Sequence, residues 1–253
     1  MRILLPLLIA LLSLPAQAID LSGIAEFDQR LTLNSSISGR VEQVHVEIGQ
    51  SVVTGDLLLS LVPTGLQAHI DIASAEVDAL YPKVARMSAE LDKAQELYDR
   101  DSLARMALQQ AQQDHSIATA KLAAAVAKLD LARFHLTQAQ LRSPINGIVL
   151  SISAFPGQYI NTQVNDQTLL TVADNSSMSV QALLPVELYR KSLMYKSVKV
   201  TYLKQSFKGK VVAIDRQVSM GANNHPAMFL QIKFDTDGSL PAGLPVKVSV
   251  DAD

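Results

Sequence analysis

Residues 39–50 read GRVEQVHVEIGQ, and residues 147–158 read GIVLSISAFPGQ. Each stretch opens on glycine, continues through β-prone residues and reaches a Gly-Gln pair at the same distance from its start. An apolar strand follows each copy, at residues 57–59 and 169–172. Glycine at such points allows positive φ and tight turns. Two copies with one spacing predict two halves of a repeated β unit.

The repeat looks like the two halves of a biotinyl/lipoyl-type β-sandwich, residues 37–62 and 142–173. Each half supplies only a few short strands, and neither half buries its apolar face alone. We therefore expect the halves to pack together, although a long insert separates them.

The insert, residues 63–141, has the spacing of a coiled coil. Apolar residues recur at alternating steps of four and three from Leu66 to Tyr98, and again from Leu108 to Ala139 with His115 as the exception. This pattern predicts an antiparallel α-helical coiled-coil hairpin, with Ser102 capping its second helix. The second helix is rich in alanine, so the contact between the two helices buries little apolar area. We therefore expect each hairpin to pack against neighbouring hairpins in an oligomer.

Pro82 conflicts locally with the predicted first helix, because proline removes a helical hydrogen bond. The sequence leaves two readings open: the helix bends there, or it begins after Tyr81.

The flanking segments, residues 19–36 and 174–253, have the alternating or apolar patterns of β-strands. They predict a small barrel of about six strands, with a short helix at residues 185–194. The fold class is therefore α+β and multi-module: a helical hairpin inserted in a split sandwich that is attached to a barrel.

Residues 1–18 have the features of a secretory leader. Arg2 gives the positive start, a short apolar core follows, and Ala16-Gln17-Ala18 forms the cleavage site. We expect a cleaved signal peptide and a periplasmic protein associated with the inner membrane through its transporter. The chain has no cysteine, which excludes a lipobox anchor and a disulfide framework.

The composition excludes several function classes. The chain carries 22 basic and 24 acidic residues, so a nucleic-acid partner is not expected. No nucleophile elbow, phosphate loop or zinc-spaced histidine pair is present. We expect no catalytic, cofactor-binding or metal-binding residues.

The nested order of modules resembles the membrane fusion, or periplasmic adaptor, family (HlyD-like) of tripartite efflux pumps and type I secretion systems. The segments that carry the resemblance are SGRV at 38–41, GQSV at 49–52, GDLL at 55–58, RSPINGIV at 142–149, GQ at 157–158 and LPAGLPV at 240–246.

The resemblance implies a non-enzymatic adaptor that links an inner-membrane transporter to an outer-membrane TolC-like channel, as a homo-oligomer of six copies. The moderate hairpin favours a partner of the resistance-nodulation-division (RND) type. An ATP-binding-cassette (ABC) exporter or type I secretion system is the alternative.

The family's hairpin tip often reads Arg-x-x-x-Leu, then six residues, then Ser, and contacts the channel. The matching positions are Lys93, Leu97 and Ala104, of which only the leucine is kept. The residues expected to make the channel contact are Lys93, Leu97, Arg100, Leu103, Ala104 and Arg105.

Short joints at Pro63 and at Ser143-Pro144 are expected to act as hinges between modules.

Two further alternatives stay open. One is a periplasmic scaffold of the same fold that contacts no channel. The other is a lipoyl or biotin carrier, since Asp92-Lys93-Ala94 matches a carrier motif. The motif lies within the heptad pattern, however, where Lys93 would face outward from a helix instead of sitting at a turn.

Overall fold

The computed structural model describes residues 19–163, 167–189, 197–215, 217–220 and 226–250. The leader expected at residues 1–18 and part of the expected helix at 185–194 lie outside these ranges. The chain forms two compact units. The first contains Met1–Leu31, Asn146–Ile148 and Ala173–Asp253, and the second contains Thr32–Ile145 and Val149–Val172.

Within the described residues, these units contain thirteen strands and two long helices. In chain order they are β1 (Ile19–Leu33), β2 (Gly39–Val44), β3 (Ser51–Val52), β4 (Leu57–Leu61), α1 (Thr64–Asp99), α2 (Arg105–Gln138), β5 (Gln140–Arg142), β6 (Gly147–Ile152), β7 (Tyr159–Ile160), β8 (Leu170–Pro185), β9 (Ser197–Tyr202), β10 (Gln205–Ile214), β11 (Ser219–Met220), β12 (Pro226–Asp235) and β13 (Pro245–Val250).

The second unit contains the predicted sandwich. One sheet has the order β5-β4-β2-β7, and β3, β6 and the start of β8 pair beside one another in the other sheet. Both sequence halves contribute to one apolar core, in which Leu58, Leu169 and Leu170 are fully buried. The prediction that the distant halves close into one body is confirmed.

The two halves interlock through equivalent backbone hydrogen bonds. The Gly49 N–H donates to the carbonyl of Val149 at 2.8 Å, and the Val149 N–H donates to Gln50 at 3.0 Å. In the other copy the Gly157 N–H donates to the carbonyl of Val41 at 2.9 Å. Gly49 and Gly157 have φ of 85° and 87°, a region that favours glycine. The repeated glycines therefore form the turns through which each half binds the other.

The helical hairpin is confirmed, and its heptad seam is the buried side of both helices. Every predicted seam residue from Leu66 to Tyr98 and from Leu108 to Ala139 is buried or half-buried. The core of the seam is narrow, however, since only six residues of the two helices are buried: Ala73, Val77, Leu108, Ala118, Ala125 and Leu129.

Helix α1 runs without a break through Pro82, so the reading in which it begins after Tyr81 is wrong. The base of the hairpin is held to the sandwich, where the Leu61 N–H donates to the carbonyl of Ala139 at 2.8 Å.

The first unit is a closed barrel of six strands. They pair in the circular order β1-β13-β9-β10-β12-β8, and β8 returns to β1. Its core includes Phe234 and Tyr202, and the Tyr202 hydroxyl donates to the carbonyl of Pro241. Burial raises the pKa of Tyr202. The six-stranded prediction is confirmed, but the expected helix at 185–194 is represented in the described part by one 3₁₀ turn, Val186–Leu188.

No helix in the described ranges is both long enough and apolar enough to cross a lipid bilayer.

Candidate functional site

The hairpin tip is a tight reversal between the two helices at residues 100–104. At the end of α1 the Asp101 N–H donates to the carbonyl of Tyr98, and the Ser102 N–H donates to the carbonyl of Leu97, both at 2.9 Å. Asp101 has φ of 55°, the left-handed conformation. These two bonds and one left-handed residue form a Schellman motif, with aspartate at the position where glycine is commonest. The tip therefore has a defined backbone.

The start of α2 differs from the sequence prediction. Ala104 is the N-cap residue, and no side chain caps the helix. Ser102 is two residues too early, and its hydroxyl donates instead to the carbonyl of Arg100 at 3.2 Å. The prediction that Ser102 caps the second helix is wrong, because the Schellman motif extends the reversal by two residues.

The charged residues of the tip are exposed. The Arg100 guanidinium donates to Glu96 Oε1 at 2.5 Å, an ion pair at the C-terminal end of α1. Both side chains remain in solvent, so this pair contributes little stability. Arg105 lies at the first residue of α2 and Lys93 lies six residues before the end of α1. Both are exposed, so the tip presents basic groups to a partner.

The apolar residues of the tip form a partly covered cluster. Leu97 and Leu103 are half-buried, and Leu108 is 7% exposed. Met106, which the sequence reasoning missed, is 78% exposed and is the most exposed large hydrophobic residue in the described ranges. Met106 lies two residues before the seam residue Leu108, so on a helix it points away from the seam. An apolar residue at such a position is the sequence signal that could have identified it.

The structure thus places five of the six predicted contact residues in or beside the reversal. Leu97, Arg100, Leu103, Ala104 and Arg105 lie there. Lys93 lies one helical turn before Leu97, so it is further from the tip.

The predicted hinge residues have different surroundings. Pro63 precedes α1 and is exposed, as is Pro144. Ser143 is 2% exposed; its N–H donates to Asp56 at 2.9 Å, and its carbonyl accepts from Gly55 at 2.8 Å. These bonds tie Ser143 to the sandwich, whereas the carbonyl of Pro63 accepts a hydrogen bond from the Gln67 N–H of α1 at 2.8 Å. Hinge action at all three residues stays a prediction.

Two other kinds of site can be compared with the described residues. The carrier motif at Asp92-Lys93-Ala94 lies within α1, where a lysine is not presented at a turn. Across the described ranges, no group of three or more histidine, aspartate or glutamate side chains could hold a metal ion.

Comparison with known proteins agrees with this architecture. Residues 29–183 match the family described as RND MFP, barrel-sandwich hybrid domain. This chain belongs to the membrane fusion protein family. Members of this family act as periplasmic adaptors in efflux transport.

Individual membrane fusion proteins resemble the chain in sequence and fold. The macrolide export protein MacA of Yersinia pestis is 29% identical over 175 residues, which are 64% of this chain and 47% of MacA. The multidrug resistance protein MdtA of Xenorhabdus bovienii is 25% identical over 78% of this chain and 50% of MdtA. The chain spans about half the length of the curated relatives it matches.

A solved structure shows the same fold. The crystal structure of MacA from Actinobacillus actinomycetemcomitans covers 93% of this chain and 78% of that protein, with a TM-score of 0.77 and 18% identity. At that identity the likeness shows the fold alone.

Proposed function

We propose that this chain is the periplasmic adaptor subunit of a tripartite efflux pump, which bridges an inner-membrane transporter and an outer-membrane TolC-like channel. The observation that carries the proposal is a closed sandwich with a long antiparallel helix pair inserted between its halves. Helix α1 has 36 residues and is therefore roughly 54 Å long. An arm of that length suits a protein that connects partners across a gap.

The tip of the arm is the proposed contact with the channel. Leu97 and Leu103 supply apolar surface that is only half covered, and Met106 adds a largely exposed thioether side chain. Arg100 and Arg105, together with the acidic Glu96, Asp99 and Asp101, surround them with exposed charges of both signs. Apolar anchors within a charged rim are the usual composition of a protein interface.

The proposed inner-membrane partner is a transporter of the RND type. Its support is the matched family, whose description names RND, together with the moderate length of the hairpin. An ABC-type exporter is the second candidate, and the matched macrolide export protein keeps it in view. Isolation of the transporter that co-purifies with the chain distinguishes the two.

Further proposals concern location and assembly. The leader-like residues 1–18 support export to the periplasm, followed by cleavage after Ala18. The narrow hairpin core supports a homo-oligomer, with six copies as the family resemblance implies. Bending at Pro63 and at Ser143-Pro144 would let the modules tilt during transport.

Leu97→Asp tests the channel contact. A carboxylate placed in the half-buried tip cluster must be desolvated when a partner covers it, so we expect channel co-purification and drug export to fall at least tenfold. The transporter should still co-purify.

Ala85→Asp is the matched control, because Ala85 is exposed on α1 away from the tip and off the seam. It should leave both measurements unchanged. Full channel binding and export by Leu97→Asp would refute the tip contact. Such a result with an intact transporter complex would favour the scaffold alternative.

A further inference from the structure

The β-hairpin formed by β9 and β10 carries four lysines and no acidic residue. We name it the basic β-hairpin, and it comprises residues 197–214. Its lysines are Lys199, Lys204, Lys208 and Lys210, and all four are exposed. The whole chain has 22 basic and 24 acidic residues, so this segment departs strongly from the average charge. A surface of one sign creates a potential that attracts a partner of the opposite sign.

Three of the lysines lie on one face of the basic β-hairpin. The neighbours of Lys199 along β9 are buried, and so is Gly209 of β10. Because side chains alternate across a strand, Lys199, Lys208 and Lys210 face outward together. Lys199 and Lys208 are also direct partners in the antiparallel register. Like charges at directly opposite positions destabilise a sheet, so this pair lowers stability unless a negative partner lies against it.

Lysines on the two strands that flank the basic β-hairpin have acidic partners. On β13, Lys247 Nζ lies 2.7 Å from Asp20 Oδ2, and on β12, Lys233 Nζ lies 2.6 Å from Asp28 Oδ2. No lysine of the basic β-hairpin forms an ion pair with a residue in the described ranges. The barrel therefore neutralises the lysines on either side and leaves those of the basic β-hairpin available to another molecule.

The turn of the basic β-hairpin places an apolar side chain at its end. Leu203 and Lys204 connect the paired residues Tyr202 and Gln205, and they have φ of 47° and 66°. A two-residue turn with positive φ at both positions usually contains asparagine, aspartate or glycine. Leucine is unfavourable in this conformation, and the Leu203 side chain is 53% exposed. Neither the turn nor the core requires this leucine, which suits a partner that has an apolar layer.

We propose that the basic β-hairpin binds the surface of a membrane that contains anionic phospholipids. The lysines lie against the phosphate groups, and Leu203 enters the boundary between the headgroups and the acyl chains. Four residues of strand, roughly 13 Å, separate Leu203 from Lys199, so the hairpin rests on the membrane along its outer face.

A lipid surface fits these residues better than an acidic protein does. All four cations are lysine, a point charge without the planar fork through which arginine holds one carboxylate or phosphate in a fixed geometry. Several lysines beside one apolar tip suit a layer of many interchangeable headgroups. This contact is separate from the proposed channel contact at the tip of the helical hairpin.

Vesicle sedimentation tests the proposal with no transporter or channel present. The chain is isolated from the periplasm, so that the expected leader is removed. It is mixed with vesicles of phosphatidylcholine alone, or with vesicles that contain about one-third phosphatidylglycerol. We expect at least tenfold stronger binding to the anionic vesicles, and about 0.5 M salt should abolish the difference.

A pair of lysine substitutions locates the surface. Lys199→Gln with Lys208→Gln should weaken binding to the anionic vesicles at least fivefold. Lys83→Gln with Lys121→Gln is the matched control, since it removes the same charge from exposed lysines of α1 and α2. The control should leave binding unchanged.

Leu203→Asn separates the role of the apolar tip from that of the turn. Asparagine suits the left-handed conformation better than leucine, so the thermal stability of the chain should stay the same or rise. Binding to the anionic vesicles should nevertheless fall at least twofold, because the apolar side chain is lost.

Several outcomes would overturn the proposal. They are equal binding to both kinds of vesicle, no binding to either, equal losses from the two lysine pairs, and unchanged binding by Leu203→Asn. If no vesicle is bound and the change at Lys199 and Lys208 instead abolishes co-purification of the transporter, the basic β-hairpin contacts an acidic protein face. Because the vesicle assay contains neither proposed protein partner, it can succeed when the channel contact fails, and the reverse also holds.

Discussion

The sandwich and the hairpin achieve order in different ways. The sandwich core contains fully buried leucines, and backbone hydrogen bonds of 2.8 to 3.0 Å tie its two halves together. The buried residues of the two hairpin helices are three alanines, two leucines and one valine. Burial stabilises in proportion to apolar area, so it stabilises the sandwich more than the hairpin, which gains from further contacts. The rigid body and the adaptable arm are thus separate parts of one compact unit.

The largest expected effect comes from Leu58→Ala, which empties a fully buried site in the sandwich. We expect the free energy of unfolding of the sandwich to fall by about 3 to 4 kcal/mol. Because the halves interlock, hydrogen exchange measured by mass spectrometry should accelerate in both residues 39–61 and residues 147–172.

Leu129→Ala is the matched change in the hairpin. Leu129 is 6% exposed in a narrow seam, so we expect a loss of about 2 kcal/mol, with faster exchange in α1 and α2. If Leu129→Ala lowered the free energy of unfolding as much as Leu58→Ala or more, the hairpin would be packed at least as tightly as the sandwich. Faster exchange in only one half of the sandwich after Leu58→Ala would contradict the interlock.

A smaller effect is expected at the two repeated glycines. A Cβ at Gly49 or Gly157 would meet no atom within 4 Å, so substitution by alanine costs only backbone strain at positive φ. Thermal unfolding should show a loss of about 1 to 2 kcal/mol for Gly49→Ala and a similar loss for Gly157→Ala.

Gly65→Ala provides the control with the opposite sign. Gly65 lies in the first turn of α1, has equal space around it and has no positive φ. It should leave stability unchanged or raise it by up to about 1 kcal/mol. Losses at Gly49 and Gly157 that differ by more than about 1 kcal/mol would show that the two turns are not equivalent.

The smallest effect is expected from Glu76→Gln, which removes the ion pair across the hairpin. The Lys128 and Glu76 side chains are 63% and 44% exposed, so the loss should be below about 0.5 kcal/mol and should vanish in about 1 M salt. Urea unfolding at two salt concentrations measures it. A loss above about 1 kcal/mol that about 1 M salt abolishes would mean that charge contributes more to the pairing of the helices than an exposed ion pair normally does.

Periodicity predicted most of the architecture. Every residue of the predicted inner seam is covered, because helix pairing depends on one local pattern that the sequence displays directly. The glycine repeat likewise indicated which distant segments pair. Strand β8 was not predicted as one element: Asp174 to Ser177 interrupt its apolar pattern with polar residues, and only pairing with neighbouring strands keeps it extended.

The tip was less predictable than the seam. The cap at Ser102 followed an ordinary local pattern, but the Schellman motif depends on backbone hydrogen bonds and on the left-handed conformation of Asp101, which the residue types alone do not indicate. The helix also continued through Pro82, which is exposed, so its ring meets solvent and not a packed neighbour. Such outcomes depend on the surroundings of a residue and not on its type.

The hydrogen bond between Leu61 and Ala139 also bears on the order of folding. The chain between these residues is a long loop, and closing a flexible loop of that size would cost about 4 kcal/mol of entropy. If the two helices pair first, their antiparallel register brings Leu61 and Ala139 together, and no further loop-closure entropy is lost. The hairpin, although more loosely packed than the sandwich, would then form first and bring the two halves of the sandwich together.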